Sequence, residues 1–214
     1  MPAHRDASHD AFQSAAEPHA QTTPSRWPRR AVIGGLLAAA GGGVVFADAK
    51  PARAAGALDA MPEAAREKAM RRAIAIARRN PAYPYGAVIA RIADGRVMAE
   101  GINDSRKNPM LHGEIAAIDE YVRRHGNRDW AAMVLTTTAE PCTMCMSALI
   151  WTGIGGVIFG TSLDGLARAY GSKGIDIAAA KVAEAAPFWH GDLVGGVLAN
   201  ETDPLFMASR RASR

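Results

Sequence analysis

Three potential metal ligands and one carboxylate are grouped in two short segments of the sequence. One residue separates His112 from Glu114, and two residues separate Cys142 from Cys145 directly after Pro141. Cysteines three positions apart at the start of a helix lie on one face, so both sulfurs can reach the same ion. A helix amino terminus also favours the thiolate form that zinc binds. The spacing therefore predicts one zinc ion per chain, held by His112, Cys142 and Cys145.

The same ligand set predicts a catalytic zinc site. Zinc prefers four ligands, and no fourth histidine or cysteine lies nearby in the sequence. The open position would hold a water molecule whose pKa the metal lowers, and Glu114 would move its proton. Because residues two apart diverge in the middle of a helix, this role requires His112 at the beginning of a helix. A redox pair or a structural zinc site is the alternative interpretation of Cys142 and Cys145.

The surrounding sequence predicts the helices and strands that position these residues. Helical spacing of apolar residues, β-branched runs, and punctuation by glycine and proline indicate the order α, β, β, α, β, α, β, then an α/β tail. This order predicts one sheet with helices on both faces. The predicted helices are 62–79, 112–125, 141–152, 178–184 and 204–211, and the predicted strands are 85–90, 96–102, 132–137, 156–160 and 193–198.

Several segments of the sequence resemble the cytidine-deaminase-like superfamily. The resemblance rests on the histidine–x–glutamate and proline–cysteine–x–x–cysteine patterns, which the zinc deaminases share. It covers nearly all of the chain after Ala69, and further matching segments are 85–88, 101–103, 137–142 and 154–160. A histidine as the first ligand is similar to the guanine deaminase and tRNA adenosine deaminase branch. The resemblance implies an α/β fold, a three-layer α/β/α sandwich with a single mixed five-stranded sheet.

The resemblance also implies roles for residues around the predicted metal site. It makes Glu114 the catalytic proton carrier and places Asn103 against the base. It places the backbone near Ala87 and Glu140 along the substrate pocket. Asp164 resembles an acidic residue that assists some guanine deaminases, as a proton shuttle. The family also implies a homodimer.

These features together predict a zinc-dependent hydrolytic deaminase that removes the exocyclic amine of a nucleobase or nucleoside and releases ammonia. A guanine-type purine is the first candidate substrate. Adenosine deamination in tRNA is the alternative, and a non-enzymatic zinc or redox module is a second alternative. Gly113 replaces the alanine usual in the family, and the 103–112 loop is shorter than usual. Both departures lie at the rim of the predicted pocket, so they affect which substrate the pocket accepts.

The charge balance favours a small-molecule substrate. The chain carries 25 Lys and Arg residues against 21 Asp and Glu residues, a formal net charge of +4. Residues 55–214 contain 19 basic and 17 acidic residues, an excess too small to predict a nucleic-acid partner. The two cysteines of the sequence exclude a framework of several disulfides.

The first 54 residues are predicted to be an export signal, and residues 55–214 are predicted to be the deaminase domain. Arg29 and Arg30 precede an uncharged, glycine-rich apolar stretch, and small residues form a cleavage site after Ala54. The pattern resembles a twin-arginine signal. It implies contact with the twin-arginine translocon, a periplasmic or otherwise exported location, and no stable membrane insertion. Because that route exports folded proteins, zinc could enter the site before export.

Overall fold

Residues 56–171 and 174–212 are described by the computed structural model of the chain. The predicted signal, residues 1–54, lies outside this part, so the twin-arginine interpretation and its cleavage site stay predictions. Within the described residues, no helix combines the length and the apolar character that a membrane crossing needs.

A mixed sheet of five strands forms the centre of the fold. The strands are β1 Gly86–Arg91, β2 Val97–Ile102, β3 Met133–Ala139, β4 Gly156–Thr161 and β5 Asp192–Val194. Their spatial order is β2-β1-β3-β4-β5. β1 pairs antiparallel with β2 and β3, whereas β3, β4 and β5 run parallel. The predicted single mixed sheet is therefore confirmed.

Helices cover both faces of this sheet. They are α1 Glu63–Ala77, α2 Gly113–His125, α3 Thr143–Thr152, α4 Leu163–Tyr170, α5 Ala179–Glu184 and α6 Ala199–Ala212. Successive residues of a strand point to opposite faces. Accordingly, Ala87 and Ile89 of β1 pack with α2, α3 and α5, whereas Val88 and Ala90 pack with α1. β3 and β4 are buried along their whole length. The predicted three-layer α/β/α sandwich is confirmed.

Helix α4 is absent from the sequence-based prediction because a glycine interrupts its pattern. Gly165 lies within α4, and glycine disfavours a helix interior. A Cβ atom at this position would lie 2.8 Å from Cγ2 of Thr161, so the close packing of the helix requires glycine. Ser162 begins the helix by accepting a hydrogen bond from the N–H of Gly165 at 3.2 Å.

The last strand and the last helix have other bounds than predicted. β5 ends at Val194 because the chain then turns through positive φ angles, 81° at Gly196 and 51° at Leu198. α6 begins at Ala199, ahead of the predicted start at Pro204. Because proline is favoured at the first position of a helix, the sequence-based prediction starts α6 too late, at Pro204. Completely buried Phe206 anchors the helix after Pro204.

Candidate active site

The three predicted metal ligands meet where the amino termini of α2 and α3 converge. His112 directly precedes α2, Cys142 directly precedes α3, and Cys145 lies in the first turn of α3. Nδ1 of His112 lies 3.7 Å from Sγ of Cys142 and 3.5 Å from Sγ of Cys145. All three ligand atoms lie within 4.8 Å of one another. The helix start that the predicted mechanism requires at His112 is present.

The spacing of these atoms fits a zinc ion. A tetrahedral zinc with Zn–S of about 2.3 Å and Zn–N of about 2.0 Å holds sulfur and nitrogen ligands about 3.5 Å apart. The observed separations of 3.7 and 3.5 Å agree with this value. Across residues 56–171 and 174–212, no fourth histidine, cysteine, aspartate or glutamate joins the set. The three residues could therefore hold one zinc ion and leave a position for a further ligand.

Hydrogen bonds at the site favour a thiolate at Cys142. Hydrogen bonds with Cys145 and with His112 lower the pKa of Cys142 to about 4, although burial opposes this shift. The bond between the two cysteines, together with burial, raises the pKa of Cys145. The hydrogen bond with Cys142 also raises the pKa of His112. The positive end of the α3 dipole favours negative charge at both sulfurs. The site is thus prepared to bind a cation.

Glu114 lies beside the metal ligands in the first turn of α2. Its side chain is only 3% exposed, and its Oε1 accepts a hydrogen bond from Oγ1 of Thr137 at 3.3 Å. Burial raises the pKa of Glu114, while a hydrogen bond with Cys145 acts in the opposite direction. This carboxyl therefore holds a proton more readily than an exposed glutamate does.

Close packing against the sheet explains the glycine between His112 and Glu114. A Cβ atom at Gly113 would lie 2.8 Å from the carbonyl oxygen of Tyr85. A Cβ atom at Gly101 would lie 2.0 Å from the carbonyl oxygen of Gly113. The start of α2 therefore rests directly on the backbone around β1 and β2, and alanine at position 113 would push it away.

Ala87 of β1 and Asn103, which directly follows β2, lie near the start of α2. Asn103 is 5% exposed; its N–H donates to the carbonyl of Tyr85 at 3.0 Å, and its side-chain amide donates to Oγ of Ser105 at 3.1 Å. Ala87 is completely buried in β1, opposite Gly101 of β2. Both residues are firmly held, and their predicted contacts with a substrate stay predictions.

Glu140 and Asp164 have different surroundings. Glu140 lies two residues before Cys142, and its carboxylate accepts backbone hydrogen bonds from Leu163 and Ala179. Asp164 is exposed in the first turn of α4. Within the described part of the chain, Asp164 forms no hydrogen bond or ion pair with the metal-ligating residues. Glu140 is thus held firmly two residues from a metal ligand, and the predicted roles of Glu140 and Asp164 in the pocket stay predictions.

Two residues near the site have no role in the sequence-based prediction. Thr137 binds Glu114, yet in the sequence it belongs to a β-branched strand that indicates only a buried core. Tyr85 packs on Phe206 of α6, with 5.1 Å between ring centroids, and burial raises the pKa of its hydroxyl. The charges of Glu114 and Cys142 contribute to that shift, so Tyr85 lies within electrostatic range of the site.

Two surface clefts lie apart from the metal-ligating residues. One, of about 530 Å³, lies between the start of α1 and the β5–α6 connection. The other, of about 560 Å³, lies beside α5 and β5. Neither cleft is lined by His112, Glu114, Cys142 or Cys145. The convergence of ligand atoms, and not the size of a cleft, identifies the candidate active site.

The segment that contains the site matches a known family. Residues 63–161 match the family model of the cytidine and deoxycytidylate deaminase zinc-binding region. All three residues of the metal-ligating set lie within the segment that is similar to this family.

Individual relatives include two kinds of deaminase. The guanine deaminase of Bacillus subtilis is 37% identical over 70 residues, which make up 32% of this chain and 44% of that protein. The tRNA-specific adenosine deaminase of Haemophilus influenzae is 35% identical over 102 residues, which make up 45% of this chain and 58% of that protein. The chain thus spans about half the length of these curated relatives.

A solved structure supports the fold. The guanine deaminase from Nitrosomonas europaea superposes with a TM-score of 0.59 at 20% sequence identity. The match covers 70% of this chain and 85% of that chain, so the shared fold extends beyond the zinc-binding region.

Proposed function

We propose that this chain is a zinc-dependent hydrolytic deaminase that removes the exocyclic amine of a nucleobase or nucleoside. The observation that carries the proposal is the convergence of His112, Cys142 and Cys145 beside the buried carboxyl of Glu114. A redox cysteine pair does not need the histidine. A structural zinc site uses a fourth protein ligand, which the described residues do not supply.

The side chains of the site supply the proton transfers of this hydrolysis. A zinc ion held by His112, Cys142 and Cys145 would supply a water molecule activated for attack on the ring carbon that carries the amine. The carboxylate of Glu114 takes a proton from the attacking water. It delivers that proton to the neighbouring ring nitrogen, then takes the proton of the hydroxyl added to the ring carbon and passes it to the departing amine, so that ammonia leaves and a carbonyl remains. The hydrogen bond from Thr137 fixes the orientation of this carboxylate.

A guanine-type purine is the proposed substrate. Support comes from the relative named guanine deaminase and from the small net charge of the chain. We place Asn103 against the base and the backbone near Ala87 and Glu140 along the pocket, with Asp164 as a proton shuttle. Adenosine in tRNA is the second candidate, because another relative is a tRNA-specific adenosine deaminase.

Ammonia release from a panel of compounds tests the proposal. The full chain loaded with zinc is offered guanine, adenine, cytosine, aminated triazines, nucleosides and a tRNA transcript, and guanine is expected to react fastest. Release from the tRNA transcript alone would support the second candidate. No release from any compound, with zinc bound, would overturn the enzymatic proposal.

Substitution of Glu114 tests its role in the same assay. Glu114→Gln removes the group that carries the protons, so the rate is expected to fall by about 10²–10⁴-fold while zinc content stays the same. Glu120→Gln is the matched control, because Glu120 lies on the same helix and forms ion pairs with Arg123 and Arg124 at the surface. An active Glu114→Gln variant would contradict the role assigned to this residue.

We also propose that the protein forms a homodimer through the outer face of α3. Trp151 is 78% exposed, and its ring centroid lies 5.3 Å from that of Phe188, which is 57% exposed. Helix α3 contains no charged residue. A contiguous aromatic patch of this kind is typical of an interaction surface. A second copy of the chain is the proposed occupant.

Export by the twin-arginine route is a further proposal, based on Arg29 and Arg30. Fractionation of cells that produce the full chain tests it. The protein is expected in the periplasm without the residues before 55, whereas Arg29→Lys combined with Arg30→Lys retains it in the cytoplasm. An equal distribution of both forms would contradict export by this route.

A further inference from the structure

The carboxylate of Glu140 connects three elements next to the metal centre. Glu140 lies between the end of β3 and Pro141. Its Oε2 accepts a hydrogen bond from the N–H of Leu163 at 2.8 Å, and its Oε1 accepts one from the N–H of Ala179 at 2.8 Å. Leu163 is the first residue of α4, and Ala179 is the first residue of α5. One side chain thus binds the starts of two helices.

These two amides need an acceptor from outside their own helices. The first N–H groups of an α-helix have no partner within the helix. Ser162 caps α4 through the N–H of Gly165, but it does not bind Leu163. The residue before α5, Ala178, has no side chain that could cap it. Glu140 supplies both missing acceptors, and hydrogen bonds to a charged group are among the stronger ones in proteins.

The backbone of Glu140 is held as well. Its N–H donates to the carbonyl of Thr161 at 2.7 Å, which continues the parallel pairing of β3 with β4. Three hydrogen bonds therefore tie this residue to three segments that follow it in the chain. Cys142 comes two residues later, so the position of its sulfur depends on how firmly Glu140 is held.

We infer that Glu140 is a positioning residue whose carboxylate ties the cysteine-bearing loop to α4 and α5 and thereby sets the separation between Cys142 and His112. This inference rests on the proposed zinc site. The two distances from the histidine nitrogen to the cysteine sulfurs match the spacing for zinc within about 0.2 Å, and metal affinity falls when the supports of the ligands are removed.

Zinc affinity of the full chain, measured by competition with a chelator, tests the inference without any need for turnover. Glu140→Gln keeps one acceptor oxygen and places an N–H₂ group against the other backbone N–H. Its zinc affinity is expected to fall about tenfold. Glu140→Ala, which keeps neither acceptor, is expected to bind zinc still more weakly. Circular dichroism of each variant establishes that the fold is intact, and the glutamine variant suffices if the alanine variant does not fold.

Hydrogen exchange of backbone amides supplies a second measurement. Glu140→Gln is expected to accelerate exchange at Leu163 or Ala179, at least tenfold. Ser162→Ala is the matched control, because it loosens the start of α4 through Gly165 and leaves Glu140 unchanged. Its zinc affinity is expected to stay within twofold of the original chain.

Two results would overturn the inference. One is unchanged zinc affinity in Glu140→Gln although the amide of Leu163 or of Ala179 exchanges faster. The other is an equal loss of affinity in Ser162→Ala, which would mean that any loosening of α4 weakens zinc binding. A chain that binds zinc but deaminates no compound would instead contradict the proposed function and leave this inference standing.

Discussion

Three consecutive threonines on β3 have three different environments. The hydroxyl of Thr137 donates to Glu114, and that of Thr138 donates to the carbonyl of Pro84 at 2.9 Å. The hydroxyl of Thr136 is completely buried, and no group within the described residues forms a hydrogen bond with it. Because alternate residues face opposite sides of the sheet, Thr137 faces α2 while its two neighbours face α1. Only one of the three hydroxyls therefore reaches the active site.

Loss of the Thr137 hydroxyl is expected to slow the reaction. Thr137→Val keeps the shape of the side chain but removes the hydrogen bond that orients the Glu114 carboxylate. We expect kcat to fall about tenfold, with little change in KM or zinc content, because a hydrogen bond to a charged group contributes roughly 1.5 kcal/mol or more. Steady-state kinetics on the best substrate of the panel provides the measurement.

Thr136→Val is the matched control on the neighbouring residue. It removes a buried hydroxyl that lacks a partner, so it is expected to leave kcat unchanged and to raise the free energy of unfolding by about 1 kcal/mol. Urea denaturation measures the second effect. Equal losses of kcat in both variants would show that β3 packing, and not the Thr137 hydrogen bond, affects the rate.

The sequence could predict the metal ligands but not the residues that support them. Few functions other than metal binding explain the spacing of His112, Cys142 and Cys145 in the sequence. Thr137 and Glu140 have ordinary surroundings in the sequence, and their contacts span 23 and 39 residues, from Thr137 to Glu114 and from Glu140 to Ala179. Such contacts arise only when the strands and helices are packed in three dimensions.

At the scale of elements, α6 holds the segment that leads into β1. Phe206 packs against Tyr85 and, with 6.2 Å between centroids, against Tyr170 of α4. The hydroxyl of Ser209 donates to the carbonyl of Ala82 at 2.8 Å. The carbonyl oxygen of Tyr85 packs closely against Gly113. By holding Tyr85, α6 therefore also supports the backbone against which the start of α2 packs.

Truncation of Phe206 is expected to destabilise the fold strongly. Phe206 is completely buried, so Phe206→Ala is expected to lower the free energy of unfolding by about 3–5 kcal/mol. Urea denaturation followed by circular dichroism measures the change. Met207→Ala, next to it on α6 and 50% exposed, is the control and is expected to change stability by less than about 0.5 kcal/mol. Similar effects of the two substitutions would contradict the anchoring role of Phe206.

The elements before residue 161 were predicted more accurately than those after it. α1 and α2 have apolar residues at helical spacing, and glycine at position 126, with φ of 78°, ends α2 as predicted. In the tail, local signals and packing disagree. Gly165 disfavours a helix that the packing nevertheless forms. Pro204 indicates a start five residues too late, because the first turn of α6 is stabilised by contacts with β4 and α4.

At the scale of the whole molecule, the aromatic patch of Trp151 and Phe188 predicts self-association. Trp151→Glu places a charge in the proposed interface, so the variant is expected to be monomeric where the original chain is dimeric. Light scattering coupled to size-exclusion chromatography measures the mass of each. Lys181→Glu is the control, since Lys181 is 70% exposed and its ion pair within the described part of the chain is with Glu184 at the surface. A monomeric original chain would contradict the proposed dimer.

The hydrogen bonds of Glu140 have a consequence for the order in which the protein is made. The ribosome synthesises the chain from residue 1 onwards, so His112, Cys142 and Cys145 emerge before Leu163 and Ala179. During this interval every zinc ligand is available, but the amides proposed to hold the cysteine loop have not yet emerged. Zinc that binds at this stage would meet a complete but unsupported ligand set, and the proposed role of Glu140 predicts that the final geometry of the centre forms only once α5 has emerged.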